Sequence, residues 1–430
     1  MTPFWQLLYT WIGLPFLLGI LHLFALKEKK IKESLDGRNG LWNRLDEQII
    51  HRNIQHPLIW FHVVSAGEYL QAEPVIERFL AKGFDCAVTL SSISGYKWAK
   101  RSQLNGVGKL VVIDYLPFDF PSNIRRILAI FQPAAIVYTK FDLWPNLIWT
   151  ANKQRIPQYL ISATLQPRSL RLTSAPARSF YGSIYACLDG IFTVSPEDEQ
   201  RFRITNPNHP DIQVVGDTRF DSVMDRKNRL RQPKLPNYVK EKFVVIIGSN
   251  WPADEECIFP ALAEALQKFS DLLLIIAPHE PTEEHLHSSE TFFKDFEMAR
   301  FTQLDDHPDE PPRIILNDTI GVLAPMYHIG KLAYVGGGFT TGVHNVMEPC
   351  VMGMPVIFGP IHYNSPEALD LLQKKFAFTV KKPDEFHQIL FQLLQDRQSC
   401  ITLGKKAANA IESQCGAAQQ CFEMITKKIQ

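Results

Sequence analysis

The sequence predicts an α/β protein of two open parallel sheets that face a central cleft, preceded by an N-terminal membrane anchor helix. Three observations predict it. From Leu58 onward, short apolar runs rich in Val and Ile alternate with longer amphipathic stretches, the pattern of strands buried on both faces and crossover helices. The alternation breaks once, at the Pro- and charge-rich RQPKLPNYVK of 231–240, and then restarts. The segment from Phe4 to Leu26 is almost wholly apolar. A chain of 430 residues suits two domains of ordinary size. Its 45 basic and 45 acidic residues cancel, so net charge gives no reason to expect a nucleic-acid partner.

Taken in order, residues 1–32 read as the anchor and its basic flank. Gln6, Thr10 and His22 are the main polar interruptions in a stretch long enough to cross a bilayer. Lys27, Lys29, Lys30 and Lys32 follow the apolar run, whereas a secretory signal carries its positive charge in front. Positive charge stays on the cytoplasmic side, so a single-pass anchor would leave the rest of the chain in the cytoplasm. Pro15 keeps open a helix lying in the membrane interface.

Residues 40–230 form the first domain. LIWFHVVSAGE is a buried strand running into a small-residue turn, and YLQAEPVIERFLAKG is a helix closed by Gly83. Strand and helix then alternate from CAVTLSS to IQVVGDTRFD. Residues 241–430 form the second domain, with strands FVVIIGSN, LLLIIAPHE, RIILND, LAYVGGG and MPVIFGP, and amphipathic helices to the end. Such sheets place the loops after their strands at the ligand side. The seven cysteines are scattered, never C-x-x-C, and read as reduced thiols. No His/Cys cluster has zinc spacing and no D-x-D or EF-hand loop is present, so neither a metal nor a cofactor is expected.

The chemistry gathers at the strand ends. In YVGGGFTTGVHNVMEPCVMGMPVIFGP, a strand ends in glycines, so that Gly337 and Gly338 let backbone approach a ligand, and the following helix offers N–H groups to an anion. His344 and Asn345 would lie near a phosphate. Glu348, three positions on, would share a helical face with Asn345 and accept hydrogen bonds from ribose hydroxyls. A buried strand, a glycine turn and a core helix is the plainer reading. Ser249 and Asn250 end another strand ahead of an acid-rich helix start, and His279 follows IIAP, where they could touch donor phosphate or base. In HVVSAGE, Glu68 sits where the first strand meets its helix, placed either as a general base or as a first-turn acid favoured by the helix dipole.

The longer string GG-x-F-x-x-G-x-H-N-x-x-E-P, followed by G-x-P-V-x-F-G-P, resembles the donor segment of the 3-deoxy-D-manno-octulosonic acid (Kdo) transferases. These are inverting glycosyltransferases of the GT-B fold, with two Rossmann-like domains. S-x-G-E resembles the signature around that family's catalytic carboxylate, implying Glu68 as base with Gly67 leaving room for substrate. TLSSISGYKWAKR resembles its Ser-rich turn, implying Ser92 and Ser94 at the acceptor, with an N-cap as the alternative for Ser94. DLWPNL implies Asp142 and Asn146 at the cleft. Lys140 and Asp142 depart from the family's glutamates, and Pro278 stands where it has arginine in P-R-H-P. Lys140 or Arg219 could restore the missing charge. The resemblance implies Kdo transfer from CMP-Kdo to a phosphorylated glucosamine disaccharide lipid (lipid IVA) during lipopolysaccharide synthesis, at the cytoplasmic face of the inner membrane. Basic residues such as Lys97, Lys100 and Arg101 could dock on anionic head groups. The alternatives are a degenerate GT-B glycan-binding protein, prompted by Lys140 and Pro278, and a GT-B enzyme with a different nucleotide sugar.

Overall fold

A computed structural model describes residues 2–102, 104, 106, 108–140, 143–231, 233–305 and 311–429. The chain divides into two units, 1–222 with 415–430, and 223–414.

The first unit holds a seven-stranded parallel sheet. Its strands are β1 (Leu58–Val63), β2 (Asp85–Leu90), β3 (Leu110–Tyr115), β4 (Ala135–Thr139), β5 (Gln158–Ala163), β6 (Gly190–Thr193) and β7 (Ile212–Val214). The order is β3-β2-β1-β4-β5-β6-β7, so the winding reverses between β1 and β4, which pair directly. Alternation along β1 divides the core. Leu58 and Trp60 pack on one side with Leu147 and Phe131, while Ile59, Phe61 and Val63 pack on the other with Val75 and Phe79. Both faces are therefore covered, as an all-parallel sheet requires. The edge strand β3 is protected by the helix Leu41–Ile49: Ile113 N donates to Gln48 Oε1 at 3.0 Å, and Arg44 Nη2 meets Asp114 Oδ1 at 2.8 Å.

The second unit repeats the plan with β8 (Phe243–Asn250), β9 (Leu272–Pro278), β10 (Met298–Arg300), β11 (Ile314–Leu316), β12 (Leu332–Val335), β13 (Val356–Phe358) and β14 (Ala377–Thr379). Its order is β10-β11-β9-β8-β12-β13-β14, again all parallel, and the reversal falls between β8 and β12.

Two boundaries differ from those expected at 230 and 241. The break comes earlier, within the helix Thr218–Arg229, and the terminal helix Ala417–Ile429 belongs to the first unit. The cause is packing. Ala417, Ala418, Cys421 and Phe422 complete the β1-side core beside Phe79, and the Asp221 carboxylate accepts the N–H groups of Gly416 and Ala418 at 2.9 and 3.1 Å. An amphipathic pattern marks a helix but not which sheet it covers.

The apolar N-terminal helix Pro3–Ala25 is also part of the first unit, and it is long and apolar enough to cross a membrane. A π-helical turn at Tyr9–Gly13 precedes Pro15, whose missing N–H would otherwise interrupt the ladder. One stripe is docked: Trp5 Nε1 donates to Ser179 Oγ at 3.0 Å, Thr10 Oγ1 to Asn146 Oδ1 at 2.9 Å, and Leu14 is fully buried. The other faces outward with Phe4, Leu7, Trp11, Ile12 and Phe16 exposed.

Candidate functional site

Ligands of open α/β sheets bind beyond the strand ends where the winding reverses. In each unit, most of the described candidate residues lie at that end of its own sheet.

In the first unit, β1 gives way to the turn Val64–Ser65 and the helix Ala66–Ala81. Ser65 and Glu68 form a capping box. Ser65 Oγ accepts Glu68 N at 3.4 Å, and Glu68 Oε2 accepts Val64 N at 2.6 Å and Ser65 N at 3.3 Å. The carboxylate is buried, which pushes its pKa up, against the opposing pull of those two N–H donors and of the Lys140 ammonium. Lys140 follows β4, the neighbouring strand across the reversal, and adopts φ 69° while its N–H donates to Ile161 O at 2.9 Å. A lysine in the left-handed region is strained, and such strain gathers at functional positions. A Cβ on Gly67 would come no nearer than 3.9 Å to Ser65 Oγ, so the space beside it is open. Gly95 is the opposite case, its Cβ falling 3.1 Å from Val64 O, and this seats the helix Ile93–Arg101 against the same turn.

Three expectations change. Ser92, not Ser94, caps Ile93–Arg101, accepting Gly95 N at 3.1 Å, with Ser94 Oγ 3.2 Å from Ser92 Oγ. Asn146 does not face an acceptor. It is fully buried, with Nδ2 donating to Asp119 O at 2.7 Å and Oδ1 occupied by Thr10, because Asp119 caps the helix Pro145–Lys153 through the N–H groups of Asn146 and Leu147. Arg219 is held by Asp217 at 2.8 Å and is not a spare cation. Asp142 lies outside the described residues.

In the second unit, β8 ends at Ser249, with φ 55°, and Asn250. Asn250 Nδ2 donates to Glu255 Oε1 at 2.7 Å, while its buried Oδ1 has no partner among the described residues. Across the reversal, β12 enters the glycines. A Cβ on Gly336 would lie 2.2 Å from Ser249 O and one on Gly338 2.6 Å from Gly359, so the run lets three strand ends converge. Gly337 takes φ 90° and donates its N–H to Asp254 Oδ2 at 2.9 Å. Asp254 is fully buried and also accepts Trp251 N at 2.9 Å and Tyr334 Oη at 2.8 Å. It fixes the glycine loop to the β8 end.

His279 stacks on two rings, its centroid 4.6 Å from that of Trp251 and 4.4 Å from that of His344. Trp251 Nε1 donates to His344 Nε2 at 3.1 Å, and burial, with His279 adding, pulls the His344 pKa down despite Asp254. A neutral His344 results. Asn345 and Glu348 do not share a helical face as expected. The helix is only Met347–Val351, and Asn345 precedes it, its Oδ1 accepting Met347 N at 3.0 Å. The helix stops at Val351, with Gly353 at φ 87° just beyond it, so no long helix N-terminus follows the glycines. Glu348 Oε1 pairs with Arg226 Nη1 at 2.7 Å. Trp251, Asp254 and Arg226 were not singled out in the sequence. The acid run P-A-D-E-E is the signal that pointed toward Asp254. Among the described residues, no three His, Cys, Asp or Glu side chains gather as a metal site.

Comparison with known proteins follows this geometry. Residues 35–222 match the family model described as 3-deoxy-D-manno-octulosonic-acid transferase (kdotransferase). Curated proteins named 3-deoxy-D-manno-octulosonic acid transferase match over much of the chain. That of Haemophilus influenzae is 24% identical over 98% of both chains, and that of Chlamydia muridarum 28% identical over 81% of both. Among solved structures, the Neisseria meningitidis UDP-GlcNAc 2-epimerase bound to UDP-GlcNAc covers 86% of this chain and 100% of its own, with TM-score 0.58 and 15% identity. Acinetobacter baumannii MurG covers 86% and 99%, with TM-score 0.51 and 13% identity. These two establish a GT-B fold.

Proposed function

We propose that this chain, which is similar to the 3-deoxy-D-manno-octulosonic acid (Kdo) transferases, moves Kdo from CMP-Kdo to a phosphorylated glucosamine disaccharide lipid, lipid IVA. The work is done at the cytoplasmic face of the inner membrane, with Pro3–Ala25 as the membrane attachment.

The observation that carries the mechanism is Glu68. A buried carboxyl with a raised pKa, fixed by two backbone N–H groups at the winding reversal, suits a general base. Both backbone bonds fall on Oε2, which leaves Oε1 to take the proton of the acceptor hydroxyl. The hydroxyl oxygen bonds to the anomeric carbon as the bond from that carbon to the CMP phosphate breaks, with inversion through an oxocarbenium-like state. The phosphate leaves with the electron pair. The Lys140 ammonium favours the ionised form of Glu68. In the second unit, Ser249, Asn250, Gly337, Gly338, His344 and Asn345 receive the donor phosphate. Neutral His344, held by Trp251 and His279, offers an N–H rather than a charge, and Glu348 receives the ribose.

The test is to incubate the purified full chain with CMP-Kdo and tetra-acylated acceptor and to weigh the products. Mass gain by whole Kdo units is expected. Absence of transfer, or transfer from a different nucleotide sugar instead, overturns the reading.

A further inference from the structure

A cavity of about 650 Å³ in the first unit opens between the apolar N-terminal helix and the helix Ile93–Arg101. That volume is in the range of small-molecule sites. Its walls differ in kind. Leu17 and Leu21 of the N-terminal helix, Ile31 and Ile93 make an apolar side. On the other side stand Ser91, Ser92, Ser94 and Trp144.

Arg38 also lines this space. Its guanidinium is spent on oxygens without charge, those of Leu116, Ser34 and Ser91, and stacks over Tyr115 and Phe118. Burial pulls its pKa down to about 10. Lys30 and Lys97 stand at the rim, and Glu33, 3.9 Å from Lys97, offsets only part of their charge. Val64 lines the inner end, and its N–H is the one that Glu68 holds.

We propose that this cavity receives an acyl chain of the anionic lipid acceptor, with a sugar phosphate drawn to Arg38 and Lys97 at its polar side. The chain enters along Leu17 and Leu21, and the sugar then lies beside Val64 and Glu68. The N-terminal helix is thereby a wall of the acceptor site as well as an attachment to the membrane. This rests on the Kdo-transfer reading, which names the acceptor as an acylated, phosphorylated disaccharide.

The test uses the full chain in detergent and an acceptor brominated on its acyl chains, which quenches nearby indole fluorescence. Saturable quenching is expected in the parent and should be weaker in Trp144→Phe, the difference between them reporting the cavity. Lys97→Ala should raise the half-saturation about fivefold, the worth of one lysine near an anionic group. Equal quenching of parent and Trp144→Phe overturns the proposal, as does equal Trp144-dependent quenching by brominated phosphatidylglycerol, which would mean a bilayer lipid occupies the space. A chain that binds the brominated acceptor through Trp144 but transfers no Kdo leaves the cavity assigned and sinks the transferase reading instead.

Discussion

The Glu68 carboxylate accepts the backbone N–H of Val64 at 2.6 Å, so one side chain both caps the helix Ala66–Ala81 and stands at the end of β1. Glu68→Gln separates the two duties. An amide oxygen still accepts one backbone N–H, and the stability loss should stay near 1 kcal/mol. The base is gone, and single-turnover transfer with both substrates saturating should fall by about 10² to 10⁴. A variant that melts lower yet transfers at the parent rate would leave Glu68 a cap and nothing more.

If Glu68 is the base, the Lys140 ammonium lowers the pH at which it works. Burial raises the Glu68 pKa and the Lys140 ammonium lowers it, with burial the stronger. The base must be ionised, so the acid limb of kcat/KM should lie above the ordinary glutamate range and vanish in Glu68→Gln. Lys140→Asn keeps a residue that tolerates φ 69° and removes the charge. It should move the limb to higher pH, and an unmoved limb would uncouple the pair. The stability sign follows from the same shift. A pKa raised in the folded state contributes stability below the unfolded value, lost as pH rises through the folded value. Relative to the parent, Glu68→Gln should therefore melt progressively better as pH rises through that window.

Glu348 is the sharpest test of the donor side, because it already has a partner in Arg226 at 2.7 Å. If it receives ribose hydroxyls, Glu348→Ala should weaken CMP binding by about 1.5 to 3 kcal/mol, the range for hydrogen bonds to a charged group. Arg226→Met breaks the ion pair but keeps the carboxylate. With both side chains only partly buried, it should change stability by about 1 kcal/mol or less. Calorimetric titration with CMP decides. Parent affinity in folded Glu348→Ala would assign the residue to the ion pair alone.

Deleting Met1 to Leu26 should release the chain from membranes. The docked stripe includes fully buried Leu14, whose burial is worth about 1.5–3 kcal/mol, so the melting temperature should drop while unfolding stays cooperative. An insoluble product, or loss of the cooperative transition, would make the helix an obligatory part of the fold.

Much of this was legible in the sequence because strands buried on both faces leave apolar runs such as FVVIIG and LLLIIAP, and because glycines betray close backbone approach, as at Gly336–Gly338. What was not legible depended on contacts far along the chain. Nothing local to Asn146 shows that Thr10 and Asp119 will occupy its amide. Nothing local to Glu348 shows that Arg226 will meet it, and the shortness of Met347–Val351 is hidden by an apolar pattern that continues past it. The Trp251–His279–His344 stack joins three loops, and only the fold brings their rings together.

The first unit closes with Cys415–Gln430, after the chain has made the whole of 223–414. On the ribosome, then, the part carrying the apolar N-terminal helix emerges first and is finished last. Its β1-side core waits, open beside Phe79, for Ala417, Cys421 and Phe422 to arrive. A stop just before Cys415 would spare the later-made unit and strand the earlier one with an unfilled groove.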